Sequence, residues 1–103
     1  MKHLLLIRRK EKNLGSKDFL EKSVNTVVDY FNSRKDKTDD VWLIKDEVFV
    51  VWYCKTLQNH KALLSTTVPD GMYYELTYNG DKDELYLDAY KKWENVRYTD
   101  IRR

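Results

Sequence analysis

Few residues in this sequence have side chains of the types that catalyse reactions or bind metals. The chain has one cysteine, Cys54, and two histidines, His3 and His60. A metal site needs a cluster of such ligands, and a nucleophilic cysteine needs exposure and a nearby base. Cys54 lies in the most apolar stretch of the chain, which predicts a buried thiol that behaves as a small hydrophobic side chain. His60 falls in a predicted turn, and we interpret it as a turn residue.

The acidic segment 79–84 resembles the start of a calcium-binding loop only superficially. It lacks the glycine at the sixth position, and Tyr90 occupies the twelfth, where a glutamate would bind the cation. Asp88 is explained as the cap of a helix. The sequence also has no phosphate-binding loop, dinucleotide fingerprint or nucleophile elbow. We therefore predict no catalytic residue, no metal site and no cofactor.

Length and composition favour one small globular domain over residues 1–103. Of the 103 residues, 42% are hydrophobic and 14% aromatic, enough for a modest core. The apolar run at 4–7 is too short for a secretory signal or a membrane span. The single cysteine excludes an internal disulfide and fits a reducing compartment. We expect a cytoplasmic protein with no membrane association.

Charge is segregated along the chain. Residues 1–35 carry a net charge of +5, residues 36–90 a net charge of −6 and residues 91–103 a net charge of +3. Basic termini flanking an acidic middle favour solubility and internal charge complementation. A basic surface for nucleic acid is the alternative.

One amphipathic helix is predicted over residues 17–32. Leu20, Val24, Val27 and Phe31 recur at i, i+4, i+7 and i+11, which places them on one stripe of a helix. Ser16 is a suitable N-cap, because its hydroxyl can accept a hydrogen bond from the first turn. The charged segment 34–40 that follows is predicted to be a solvated linker.

The region after the linker is predicted to form a sheet. Residues 48–54 are β-branched and aromatic on both faces, which is typical of a central strand. The helix would cover one face, and the C-terminal segment or a partner chain the other. Return strands follow at 61–67 and 72–78. Pairing Tyr78 with Asp83 across the turn at 79–82 sets apolar residues opposite each other.

The ends of the chain are predicted with less regular structure. The first segment, 1–15, is predicted to be either a strand, at residues 3–9, or an extension. Residues 41–44 are predicted to form a short edge strand. The i, i+4, i+7 spacing of Tyr86, Tyr90 and Trp93 predicts a short helix over 88–96, followed by a frayed tail at 97–103. The predicted fold is α+β: an antiparallel meander of four to five strands with one helix on a face and a short C-terminal helix.

The stretch 48–95 resembles a family of small uncharacterised proteins encoded by phages and prophages of Gram-positive bacteria. The similarity is carried by the strand FVVWYCKTLQN at 49–59, by KALLSTT at 61–67, and by the segments DGMYYE, TYNGDK and YLDAYKKWEN between 70 and 95. The resemblance implies a phage origin and a role in the infected cell. It transfers no catalytic residue, because the family has no assigned activity.

Three functions remain open at this point. Fourteen aromatic residues exceed what a core of this size readily encloses, and exposed tyrosine and tryptophan favour protein interfaces. We therefore expect a non-enzymatic accessory protein that binds a host or defence protein, or a second copy of itself. A nucleic-acid-binding module is the alternative, and a small enzyme is the third. The expected protein contacts are Tyr73, Tyr86, Tyr90 and Trp93; the alternative nucleic-acid contacts are Arg8, Arg9, Lys10, Lys91, Lys92 and Arg97.

Overall fold

The computed structural model describes residues 14–35 and 40–102. Helix α1 spans Ser16–Arg34, a short 3₁₀ helix spans Lys45–Glu47, and four strands follow. The strands are β1 (Val48–Thr56), β2 (Asn59–Thr66), β3 (Met72–Asn79) and β4 (Glu84–Lys91). They form one antiparallel sheet in the order β1-β2-β3-β4. The predicted α+β meander with a helix on one face is confirmed. The strand predicted at 3–9 lies outside the described residues.

The core lies between α1 and one face of the sheet. Phe19 and Val27 of α1 are fully buried, and so are Leu64 and Leu76 from the two central strands. Leu20, Val24 and Phe31 are partly buried around them. The fully buried positions of the helix are thus 19, 23 and 27, whereas the predicted stripe ran through 20, 24, 27 and 31. The packing is that of an amphipathic helix on a half-covered antiparallel sheet.

Ser16 does not cap the helix as predicted. Gly15 takes the cap position without a side-chain hydrogen bond, and its carbonyl accepts from Phe19 N at 2.9 Å. The Ser16 hydroxyl instead lies 2.6 Å from Tyr53 Oη on β1. The serine side chain therefore links the start of α1 to the sheet, and it does not accept a hydrogen bond from a free backbone N–H of its own helix.

Segment 41–44 is not the edge strand that we predicted. Its backbone is held by the side-chain amide of Asn32 in α1, which donates to Leu43 O at 3.0 Å and accepts from Leu43 N at 2.9 Å. Both backbone groups of Leu43 are thereby satisfied without a neighbouring strand. The clamp also fixes the buried Leu43 side chain against the core.

The predicted C-terminal helix over 88–96 is wrong. Strand β4 continues to Lys91, with Tyr90 opposite Tyr73, and residues 92–100 have no regular secondary structure. A spacing of four, as between Tyr86 and Tyr90, places two side chains on one face in a strand as well as in a helix. Backbone pairing of this segment with β3 favoured the strand over the helix. Asp88 therefore lies within β4 and does not cap a helix.

The register of β3 with β4 differs from the prediction by two positions. Tyr78 pairs with Leu85 and Leu76 with Leu87. A shift of two residues keeps every side chain on its predicted face, because the side-chain period of a strand is two. The apolar pattern therefore predicted the correct face of the sheet for each side chain, but it did not predict which residue of the neighbouring strand lies opposite.

The two hairpin tips meet at one end of the sheet. Gly80 N donates to Asn59 Oδ1 at 2.9 Å, and the Gln58 amide donates to Asp81. A Cβ atom at Gly80 would collide with the carbonyl oxygen of Gln58. The close approach explains why glycine occupies this position.

Leu57 in the β1–β2 turn has the left-handed backbone conformation, with φ of 56°, and its side chain is 81% exposed. This conformation costs a residue with a Cβ atom about 1–2 kcal/mol, whereas glycine adopts it freely. We expect Leu57→Gly to raise the free energy of unfolding by about 0.5–1 kcal/mol, measured by urea denaturation. Leu57→Ala, which keeps the Cβ atom, is the matched control and should bring no such gain. A glycine variant less stable than the wild type would contradict the prediction.

Candidate functional site

The sheet face opposite α1 presents a set of aromatic side chains. In an antiparallel pair, directly opposed residues share a face. Phe49, Ser65, Tyr73 and Tyr90 therefore form one row across all four strands. Trp52 lies in the next row, opposite Leu63, and Tyr86 lies opposite Thr77 in the third. We call this surface the open face; its aromatic residues are Phe49, Trp52, Tyr73, Tyr86 and Tyr90.

These aromatic residues are only half covered by their neighbours. The exposed fractions of Phe49, Trp52, Tyr86 and Tyr90 lie between 41% and 52%. A shallow depression of about 350 Å³ lies at the centre of the face, between Trp52 and Tyr90 and over Leu63 and Tyr73. Large rings beside an apolar depression form the kind of patch that serves as an interaction surface.

The open face carries both acidic and basic side chains. Lys61 Nζ lies 3.5 Å from Glu75 Oε1, which neutralises both groups. Asp88 stands directly opposite Glu75 on the neighbouring strand, and Glu84 shares the face with them. A hydrogen bond between Tyr86 and Glu84 raises the pKa of the Tyr86 hydroxyl. Glu75, Lys91 and Lys92 all line the central depression, so the face presents both signs of charge there.

The structure brings three of the four predicted protein contacts together. Tyr73, Tyr86 and Tyr90 share the open face, but Trp93 lies beyond the end of β4 and is 95% exposed. Sequence reasoning missed Phe49 and Trp52 as members of this surface, since it placed β1 at the centre of a covered sheet. Strict alternation places Phe49 and Trp52 on opposite faces, and only the bulge at Val51 brings them to the same one, so the sequence pattern gave no signal for this.

Of the residues predicted to contact nucleic acid, the structure brings Lys91 and Lys92 together. Lys91 ends β4 opposite Met72, while Lys92 and Arg97 follow it in the irregular segment. Arg8, Arg9 and Lys10 lie outside the described residues. Lys91 and Lys92 both line the central depression of the open face, and Arg97 follows them in the irregular segment.

His60 is a buried residue of β2, contrary to its predicted place in a turn. It is 1% exposed and stacks on Phe19 with ring centroids 4.9 Å apart. Its Nε2 lies 2.7 Å from Leu14 O, and its Nδ1 lies 2.6 Å from Tyr53 Oη. A carbonyl can only accept, so Nε2 carries the proton. Tyr53 Oη lies within hydrogen-bond distance of both His60 Nδ1 and Ser16 Oγ, and it donates to the serine oxygen.

This network joins the start of α1 to β1 and β2. Both ring nitrogens of His60 have partners within the chain, so neither is available to a metal or a substrate. Among the described residues, no group of three or more His, Cys, Asp or Glu side chains is placed to hold a metal ion. The network is therefore structural in character, and its contribution is to the stability of the fold.

Cys54 is exposed, contrary to the prediction of a buried thiol. It lies on the open face opposite Lys61 of β2, while His60 points to the other face of the sheet. The prediction failed because β1 is an edge strand and no helix covers its open side. The residue opposite the thiol, Lys61, is paired with Glu75 on the same face.

A second depression lies where the end of α1 meets the β2–β3 turn. Its volume is about 390 Å³, and Tyr30, Arg34, Asp70, Met72 and Tyr74 contribute to its walls. Burial raises the pKa of the Tyr74 hydroxyl above its ordinary 10.0, and the nearby Asp70 and Tyr30 raise it further. At the far end of the same strand, Tyr78 donates to Asp83 Oδ1 at 2.7 Å, which raises the pKa of Tyr78.

Tyr74 and Tyr78 predict a loss of stability at alkaline pH. A hydroxyl whose pKa is raised by folding stabilises the protein fully below its unfolded pKa of about 10, and that contribution is lost as pH rises towards the folded pKa. We expect a lower free energy of unfolding at about pH 11 than at about pH 8. Urea denaturation of wild type and of the Tyr74→Phe/Tyr78→Phe variant measures it. An alkaline loss that is undiminished in the variant would contradict this assignment.

No helix among the described residues has the length and apolar character required to cross a membrane. No curated protein and no solved structure matches the chain. Residues 20–100 match the family of unknown function DUF6275. The match begins in the second turn of α1, includes all four strands and extends through most of the segment after β4. By this match over most of its length, the chain belongs to the DUF6275 family of unknown function.

Proposed function

We propose that this chain is a non-enzymatic protein that acts by binding another protein through its open face. We further propose that it is a phage or prophage accessory protein of the cytoplasm and that its partner is a host or defence protein. The observation that carries the proposal is the group of four half-exposed aromatic residues, with the less exposed Tyr73 among them, on a sheet face that no described element covers. The phage origin is supported by the resemblance of residues 48–95.

The composition of the open face favours a protein partner. Tryptophan and tyrosine are enriched among the residues that dominate binding energies, and such residues cluster at the centre of an interface. Trp52, Tyr73 and Tyr90 surround the central depression in this way. Glu84 and Asp88 at the border would pair with basic side chains of the partner and steer its approach.

A nuclease-treated lysate of a Gram-positive bacterium offers the direct test. Tagged wild type should capture a specific protein, and a Tyr86→Ser/Tyr90→Ser variant should lose at least about tenfold in affinity for it. Both positions are about half exposed, so the variant should fold. The matched control is Glu21→Ser/Lys22→Ser on the solvent side of α1, which should capture the protein as the wild type does. Capture that both variants retain, or no specific capture, would refute the proposal.

Nucleic-acid binding is the second candidate, and the aromatic sheet is the observation in its favour. Aromatic side chains on sheets stack with the bases of single strands. Glu75, Glu84 and Asp88 on the same face oppose it, because they repel phosphates. A gel-shift titration with single-stranded DNA and RNA separates the two candidates. Tight binding that collapses as salt is raised from low to moderate concentration would favour nucleic acid over protein.

A further inference from the structure

Apart from Val41 and Leu57, the exposed large apolar side chains of the described residues outside the open face fall into two groups at opposite edges of the sheet. One group follows β4 in the segment 92–102, which we call the C-terminal arm: Trp93, Val96, Tyr98 and Ile101. The other, which we call the β1 shoulder, consists of Trp42, Ile44, Val50 and Val51. Strands β2 and β3 separate the two groups within one chain. Each group is therefore an exposed apolar surface within the part of the chain that the structure describes.

The arm extends away from the rest of the chain. Among the described residues, Lys92 is the last whose backbone N–H bonds to the body, donating to Gly71 O at 2.8 Å. Trp93 and Ile101 are 95% and 76% exposed. The family match continues to residue 100, so most of the arm lies within the matched region. Covering the four exposed apolar side chains of this arm with another surface would be favourable, because it removes apolar area from water.

The β1 shoulder has the character of a surface that a further polypeptide covers. Strand β1 has the apolar composition of a central strand on both faces, yet it lies at the edge of the sheet, where backbone groups are open to another chain. Val51 forms a bulge between Val50 and Trp52 and is 46% exposed. A second polypeptide lying there would give β1 the surroundings that its sequence predicts.

The two groups are complementary in charge. Residues 40–51 beside the shoulder carry three acids, Asp40, Asp46 and Glu47, against the single base Lys45. Residues 91–102 carry four bases, which are Lys91, Lys92, Arg97 and Arg102, against the acids Glu94 and Asp100. The shoulder region thus has a net charge of −2 and the arm region a net charge of +2. Opposite net charges attract the two surfaces to each other.

The area is sufficient for a stable dimer. A buried tyrosine or tryptophan removes about 150–250 Å² from solvent. Trp93 and Tyr98 are 95% and 77% exposed, so these two residues in two arms would bury roughly 500–800 Å². The surfaces beneath them would lose a similar area, which brings the total to roughly 1,000–1,600 Å² and overlaps the range of about 1,200–2,000 Å² that stable interfaces bury.

We propose that two copies of this chain exchange their C-terminal arms, each arm lying on the β1 shoulder of the other copy. The exchange is reciprocal, so the dimer is closed and has twofold symmetry. It leaves the aromatic residues of the open face available, and it therefore goes beyond the partner binding proposed above. Trp93, which sequence reasoning assigned to the partner surface, serves this contact between copies.

Light scattering during size-exclusion chromatography of the full chain tests the exchange. We expect a mass twice the 12.5 kDa of one chain at micromolar concentration. Trp93→Asp should raise the dimer Kd by at least about 30-fold, giving a monomer. Leu57→Asp is the matched control, because Leu57 is 81% exposed outside both groups, and it should remain dimeric. A monomeric wild type, or a dimer that Trp93→Asp does not dissociate, would overturn the proposal.

Two further variants identify where the arm binds. Arg97→Glu should weaken the dimer, and addition of Asp46→Lys should restore part of the loss, since the reversed charges again attract. Mixing Trp93→Asp with Ile44→Asp should yield heterodimers, because one intact arm then meets one intact shoulder. If the arm or another segment covers the shoulder of its own copy, no heterodimer will form. If the copies instead associate head to tail in an open series, the measured masses will exceed that of a dimer. Either result would refute the exchange, whereas the Tyr86→Ser/Tyr90→Ser variant tests partner binding separately and should still dimerise.

Discussion

Replacing Phe19 by alanine is expected to destabilise the fold by about 3–5 kcal/mol. The ring is completely buried, stacks on His60 with centroids 4.9 Å apart and lies 5.8 Å from the ring of Tyr53. Its removal leaves a cavity where α1, β1 and β2 meet, and neither strand can move inward without breaking its ladder. Urea denaturation followed by circular dichroism measures the change. Because small domains are stable by only about 5–15 kcal/mol, the variant should be unfolded to a detectable extent at elevated temperature.

Phe49→Ala is the matched control for this substitution. The same atoms are removed from β1, but Phe49 is 49% exposed on the open face. The loss of stability should be less than half of that at Phe19, since a half-exposed ring leaves no closed cavity. Equal losses at the two positions would show that the covered and open faces of the sheet have been assigned wrongly.

Replacing His60 by leucine is expected to cost about 2–4 kcal/mol of stability, although the two side chains have similar volumes. The leucine removes both hydrogen bonds of the ring and leaves Leu14 O without its partner at 2.7 Å. It also removes the stacking contact with Phe19. Chemical denaturation gives the magnitude. A loss below about 1 kcal/mol would contradict the view that this network joins α1 to the sheet.

A double-mutant cycle with Tyr53→Phe separates the network from simple packing. The phenylalanine keeps the ring of Tyr53 and removes only the hydroxyl that lies 2.6 Å from Ser16 Oγ and from His60 Nδ1. Alone it should cost about 1–2 kcal/mol. The two substitutions together should cost less than their sum, because each destroys the same hydrogen bond.

The elements of this fold were largely predictable from the sequence. The apolar period of α1 and the alternation along β3 and β4 indicated a helix and a meander, and local turn residues indicated where the chain reverses. These signals are local, so they survive in a single sequence. The helix wrongly predicted at 88–96 shows the limit of this reasoning. Tyr86 and Tyr90 fit both periods, and only pairing with Thr77 and Tyr73 on β3 decided between them.

The strand order was the piece of information that the sequence could not provide. Strand β1 has the composition of a central strand, so it was expected to be covered on both sides, with Cys54 buried. In the structure it lies at an edge, and Cys54 is exposed. Composition reports how apolar the final surroundings of a strand are, but it does not say whether the chain itself or another chain supplies them.

Only part of the candidate site was predictable, because the sequence did not show which side of β1 is uncovered. Tyr73, Tyr86 and Tyr90 were identified from their number and character, and all three lie on the open face. Phe49 and Trp52 were missed, because their membership depends on β1 having one uncovered side. His60 was missed as a core residue, since its burial follows from long-range contacts with Leu14 and Phe19 that no local pattern encodes.

The position of Cys54 has a practical consequence for the study of this family. It is the single thiol of the chain, and it lies exposed among the aromatic residues of the open face. A maleimide fluorophore or a nitroxide spin label can therefore be attached at one defined point without engineering a cysteine or removing another. In a pair of chains related by twofold symmetry, two such labels would form a molecular ruler between the two sheets.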